Sequence, residues 1–137
     1  MDNINKNLGN INDNDVFNGK LVIKEYNFFN LGNVKILYPN QEDIEYLLGV
    51  MIKSATANDE GEININIDIY DIVYEIMPLV TNIDVSEVTK ENIEHYIKIA
   101  HPEFLEVVND ISVIIKSLSD LFAKVVLDKT QENKAKE

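Results

Sequence analysis

The sequence predicts an α+β fold that is mostly α, with an N-terminal β-hairpin followed by about four helices, the last one long. Three observations carry that expectation. Apolar residues recur at Phe104, Val108, Ile111, Ile115, Leu118, Phe122 and Val125 in alternating steps of four and three, the spacing of a helix with one face against a partner. Ile44, Leu47, Leu48, Met51, Ile52 and Ala55 make a second stripe at helical spacing. Between Lys20 and Tyr38 the residues turn β-prone and are interrupted by Asn30-Leu31-Gly32-Asn33, whose Gly and Asn tolerate the positive φ of a turn.

In chain order, residues 1–17 are rich in Asn and Asp and hold no helical or strand period, so they are expected as a flexible arm. Residues 18–128 are expected as a single globular domain and 129–137 as a flexible, polar tail. In the hairpin, Val34, Ile36 and Tyr38 alternate with Lys35 and Leu37. A hairpin alone is barely stable, so it must pack on a helix or another strand, and its open edge could accept a strand from a partner. Pro39-Asn40 ends the second strand and caps a helix expected to run to about Ala57, before the loop Asn58-Asp59-Glu60-Gly61. Ile63 to Ile67 reads as extended chain or a first turn. Asp68 then caps a helix over Ile69 to Val80, with Pro78 expected to end or kink it. After the connection Thr81 to Val88, Thr89 caps a helix from Lys90, with Val88 and Ile93 as a hydrophobic staple. His101-Pro102 breaks that helix, and Pro102 suits the first position of the long one. Val107, Ile114 and Leu121 flank the long helix's seam and widen it. The opposite face carries Glu106, Asn109, Asp110, Lys116, Ser117, Asp120 and Lys124.

A chain of 137 residues can bury a core without metal or disulfide staples. There is no cysteine, which excludes disulfides, thiolate metal sites and a cysteine nucleophile. No apolar run is long enough to span a membrane and no secretory signal is visible, so a cytoplasmic protein is expected. All twelve basic residues are lysine, so bidentate arginine grips on phosphate are absent. With 24 acidic residues and a net charge of −12, binding nucleic acid by neutralising phosphates is not expected. Such a charge serves solubility, attracts a basic partner, or imitates a nucleic acid.

No catalytic, cofactor-binding or metal-ligating residue is assigned. His95 and His101 stand six apart, which fits neither a helical zinc pair nor a finger. Asp59-Glu60-Glu62 resembles a calcium loop only in composition, lacking its regular oxygen spacing. The five glycines are scattered, with no phosphate loop, dinucleotide motif or nucleophile elbow. The chain therefore reads as a non-enzyme that binds another protein.

Phe28-Phe29-Asn30-Leu31-Gly32-Asn33-Val34-Lys35-Ile36, then Pro39-Asn40-Gln41-Glu42-Asp43-Ile44, then the helical remainder resemble the small tail assembly chaperones of tailed bacteriophages and prophages. The resemblance covers residues 20 to 127 and is one of architecture, because that family has no catalytic motif to match. It implies a protein that works in the host bacterial cell and holds apolar helical segments of the tape-measure protein. Candidate contact residues are Tyr26, Phe28 and Phe29 on the hairpin, with Val113 and Leu127 on the otherwise polar side of the long helix. Two alternatives remain open. One is an acidic phage-encoded inhibitor that mimics nucleic acid; the other is a homo-oligomer built on the long helix.

Overall fold

The computed structural model describes residues 16–57, 59–60 and 63–135, with the backbone alone at 57, 63–65, 122 and 125–135. The expected arm therefore lies, up to residue 15, outside the described residues. Three antiparallel strands come first: β1 (Val16–Phe17), β2 (Lys20–Phe28) and β3 (Gly32–Tyr38), with β2 in the middle. Helix α1 (Gln41–Lys53) follows, then a second small sheet of β4 (Ala55–Ala57) and β5 (Ile63–Ile65). Helix α2 spans residues 69–80, α3 is Lys90–Lys98 and α4 is Pro102–Ala135. Helices dominate the described residues, so the fold is mostly α with some β, as the sequence predicts.

Local chemistry explains each boundary. Asn18 and Gly19 both take positive φ, 51° and 76°, as a two-residue hairpin turn between β1 and β2 requires. The loop Phe29–Leu31 is closed by Gly32 at φ 72°, the left-handed residue that three-residue hairpin loops need. The Asn40 side chain caps α1 through the Asp43 N–H. Thr89 and Asn92 exchange hydrogen bonds as a capping box on α3. Pro102 sits at the first position of α4, as expected.

Four boundaries differ from expectation. Val16–Phe17, expected in the arm, pairs with β2 as a strand, and α4 continues to Ala135 through most of the expected tail. Helix α1 ends at Lys53 rather than near Ala57, because Ala55–Ala57 pairs as a strand with Ile63–Ile65. The alternating isoleucines thus supply a strand whose partner is predicted from the sequence as the end of a helix. Helix α2 keeps its predicted span but carries a π-turn over Ile72–Ile76, in which the Met77 N–H reaches back five residues to Ile72 O. Pro78 brings no N–H to the next turn, and the wider turn absorbs the misfit without ending the helix.

The core lies between the sheet and the helices. Val34 and Ile36 of β3, Leu47 and Met51 of α1, Val73, Ile76, Met77 and Val80 of α2, and Ile93 of α3 meet Val107, Ile111, Ile114 and Leu118 of α4. The buried line on α4 thus runs through Val107 and Ile114, which the spacing had placed beside the seam. Phe104, Val108 and Ile115 are the flanks. Leu121, expected to widen the seam, is half exposed, as is Ile52 on α1. The outer edge of β3 is covered where Ile36 bridges Thr81 and Asn82 bonds Lys35 N and Asn33 O. Among the described residues β2 has strand partners on its other edge only at Lys20 and Leu21.

Candidate functional site

The hairpin tip is fastened to the first turn of α4. The Glu103 carboxylate accepts from Asn30 N at 3.0 Å, Asn30 Nδ2 at 2.9 Å and Leu31 N at 2.9 Å. An acid in the first helical turn is also favoured by the helix dipole. Burial opposes ionisation of Glu103, but the two backbone N–H groups, the Asn30 amide and nearby His101 outweigh it and hold the carboxyl below its ordinary range. His101 caps the same helix, its Nδ1 accepting from Glu103 N at 3.2 Å. Ala100 stands just before it in the left-handed region at φ 51°. There His101 N bonds Tyr96 O and Ala100 N bonds Ile97 O, the paired bonds of a Schellman turn made without glycine.

Beside this clamp lies a cleft of about 180 Å³. The hairpin contributes Asn30 and Leu31, and the π-turn region of α2 contributes Val73 and Met77. The 83–88 segment supplies Ile83, Asp84, Val85 and Val88, and the α3–α4 corner supplies Tyr96, His101, Glu103, Phe104 and Val107. Tyr96 stacks edge-on with His101 and tilts against Phe104 at 5.6 Å, which makes an aromatic wall. Local bonds hold the 83–88 wall. Tyr74 Oη donates to Val88 O at 2.7 Å, Ile83 N donates to Thr81 Oγ1, and Ser86 N donates to Asp84 Oδ1. The Ser86 N–H and side chain hold the Asp84 carboxyl below its ordinary range, so it is charged at neutral pH. The interior is apolar, and among the described residues the only formally charged side chains in its lining, His101 aside, are those of Asp84 and Glu103.

The structure places the expected contact residues in different settings. Tyr26 and Phe28 stack at 4.6 Å on the core side of the hairpin and are part-buried. Tyr26 Oη donates to Asp110 Oδ2 at 2.5 Å and to Glu106 at 3.1 Å, and Lys24 pairs with Asp110 at 3.3 Å. Burial, then the bond to Asp110, pushes the Tyr26 hydroxyl up to about 12. Phe29, one residue on, is 97% exposed at the tip beside Asn30. Val113 is 61% exposed on α4, and the Leu127 side chain lies outside those described. Phe29 is thus the chain neighbour of Asn30 and Leu31, which line the cleft, whereas Tyr26 fastens the hairpin to α4 and Phe28 stacks on Tyr26 and packs on the core. Of the cleft residues of 83–88, Val88 carries a signal as half of a hydrophobic staple, and Ile83, Asp84 and Val85 carry none, because they lie in a connection without periodicity.

No family model, no curated protein and no solved structure matches the chain. Among the described residues no three His, Asp or Glu side chains gather as a metal site, and no helix is long and apolar enough to cross a membrane.

Proposed function

We propose that this protein is a non-enzymatic holding protein that covers an apolar segment of a longer protein client. The carrying observation is an apolar cleft lined by Asn30 and Leu31 together with the exposed Phe29 that precedes them in the chain. Large aromatics at the centre of an interface supply much of its binding energy, and Phe29 is free to enter one. A net charge of −12 would keep the complex soluble while the client is held. The tail-chaperone resemblance narrows the client to a tape-measure or other helical tail protein in a phage-carrying bacterial cell. The nucleic-acid mimic is less favoured, because Glu103 and Asp110 are engaged by the hairpin rather than displayed to a partner.

The test is a tagged pull-down from prophage-induced host cells, comparing the parent with Phe29→Ala and identifying bound proteins by mass spectrometry. Phe29 makes no buried contact, so its truncation leaves the fold intact. A helical tail protein retained by the parent and lost with the variant supports the reading. A nuclease or DNA-binding protein, released by moderate salt and indifferent to Phe29, overturns it.

A further inference from the structure

Resting on that reading, the structure assigns a chemistry to what the cleft takes: one aliphatic side chain carried beside a lysine or arginine on a partner polypeptide. Three observations converge. The interior is walled by Leu31, Met77, Val85, Val88 and Phe104, so burial there rewards apolar surface. A volume of about 180 Å³ suits a single side chain rather than a whole helix face. Among the described lining residues the charged groups, His101 aside, are anionic: Asp84 is exposed and ionised, the buried Glu103 adds its charge from within the clamp, and none is a lysine. A neighbouring cation is therefore attracted where a neighbouring carboxylate is repelled. Phe29 adds a free ring face beside Asn30, on which an ammonium or guanidinium can rest. Glu103 gives charge but few free lone pairs, since four N–H contacts already converge on it; Asp84 is the carboxylate open to a ligand.

A second copy of this chain is a poorer occupant. It would bring another −12 against an acidic rim.

The experiment is a nitrogen-15 NMR titration of the full chain with three capped tripeptides: acetyl-Lys-Leu-Lys-amide, acetyl-Lys-Ala-Lys-amide and acetyl-Glu-Leu-Glu-amide. The first should shift the amides of Leu31, Asp84, Val85 and Val88. The alanine peptide should bind at least about tenfold more weakly, having lost the buried aliphatic group. The glutamate peptide should give no saturable shift. Asp84→Asn, which keeps an oxygen for Ser86 N, should weaken the first peptide by about threefold, as expected for a rim charge. Val85→Phe, which fills the cleft, should abolish the shifts; if that variant does not fold, Asp84→Asn decides. Equal binding of the lysine and glutamate peptides, shifts confined to residues outside the cleft, or concentration-dependent broadening of the cleft amides without peptide would each overturn the assignment. The two readings fail separately. A client held undiminished by Val85→Phe removes the cleft assignment and leaves the holding function. Peptide binding by a protein that captures no tail client does the reverse.

Discussion

Two lines of side chains run along α4, and they hold the molecule by different means. Val107, Ile111, Ile114 and Leu118 form an apolar line, almost wholly buried against α1, α2, α3 and β3. Glu103, Glu106 and Asp110 form an acidic line that meets the hairpin, through Asn30, Leu31, Lys24 and Tyr26. Apolar burial has no direction, so the first line contributes bulk stability without fixing where its neighbours sit. Hydrogen bonds to a carboxylate have geometry, so the second line sets the position of the hairpin tip and hence the shape of the cleft. Beyond Asp110 the acidic line gives way to Val113 and Leu121, both half exposed or more. The polar seat thus ends where the hairpin's contacts end, while the apolar line runs on to Leu118.

Breaking the apolar line should have the largest effect. Ile111 is fully buried, so Ile111→Ala should cost about 2–5 kcal/mol in urea unfolding. Among molecules still folded, the Asn30 and Leu31 amides should keep their protection from hydrogen exchange, because their acceptor is untouched. Loss of tip protection in proportion to global stability alone would mean that the two lines are one unit.

Breaking the acidic line should do the opposite. Glu103→Gln removes the charge and one full acceptor oxygen, so exchange at Asn30 and Leu31 should accelerate while global stability falls much less than in Ile111→Ala. The pH dependence has a definite sign. The folded carboxyl is held below its ordinary 4.5, so its contribution is complete above that value and is lost as pH falls through the lowered folded value. Parent and Glu103→Gln should therefore differ most in urea midpoint near neutral pH and converge on acidification. A gap that widened in acid would contradict the clamp.

The other end of the acidic line is weaker. Tyr26→Phe deletes a hydroxyl shared by Asp110 and Glu106 at a partly exposed site and should cost about 1 kcal/mol. In an ultraviolet pH titration the Tyr26 step should come late, near 12, and vanish in the variant, while Tyr46 and Tyr70, raised by their bonds to Glu75 and Glu94, should titrate unchanged.

The apolar line was legible in the sequence and the acidic line was not, for a physical reason. Helical periodicity names a face but leaves its centre uncertain by one position, so Val107 and Ile114 read as flanks although they lie at the middle. Caps are local, so Asn40, Thr89 and Pro102 were readable where they stand. Asn18-Gly19 is a legible two-residue hairpin signal that the Asn- and Asp-rich stretch before it obscures. Glu103 meeting Asn30 joins positions 73 residues apart, which no local pattern encodes. The cleft has the same character, since its walls come from the hairpin, α2, the 83–88 segment and the α3–α4 corner. Val88, His101, Phe104 and Val107 stand out in the sequence for their places in or beside helices, but nothing there says that they share a cleft.

The smallest effect sharpens the comparison from outside both lines. Ala100 holds a left-handed backbone at φ 51° to make the Schellman turn that delivers His101 and Pro102 to the start of α4. A β-carbon disfavours that region by about 1–2 kcal/mol, whereas glycine adopts it freely but loses more chain entropy on folding. Ala100→Gly should therefore stabilise the protein by about 0.5–1 kcal/mol, read as a raised urea midpoint with an unchanged slope. Neither the apolar line nor Glu103 is touched, so protection at Asn30 and Leu31 should change only by that global amount. A larger gain confined to the tip would show that strain at the corner, rather than the Glu103 bonds, limits how firmly the hairpin is seated.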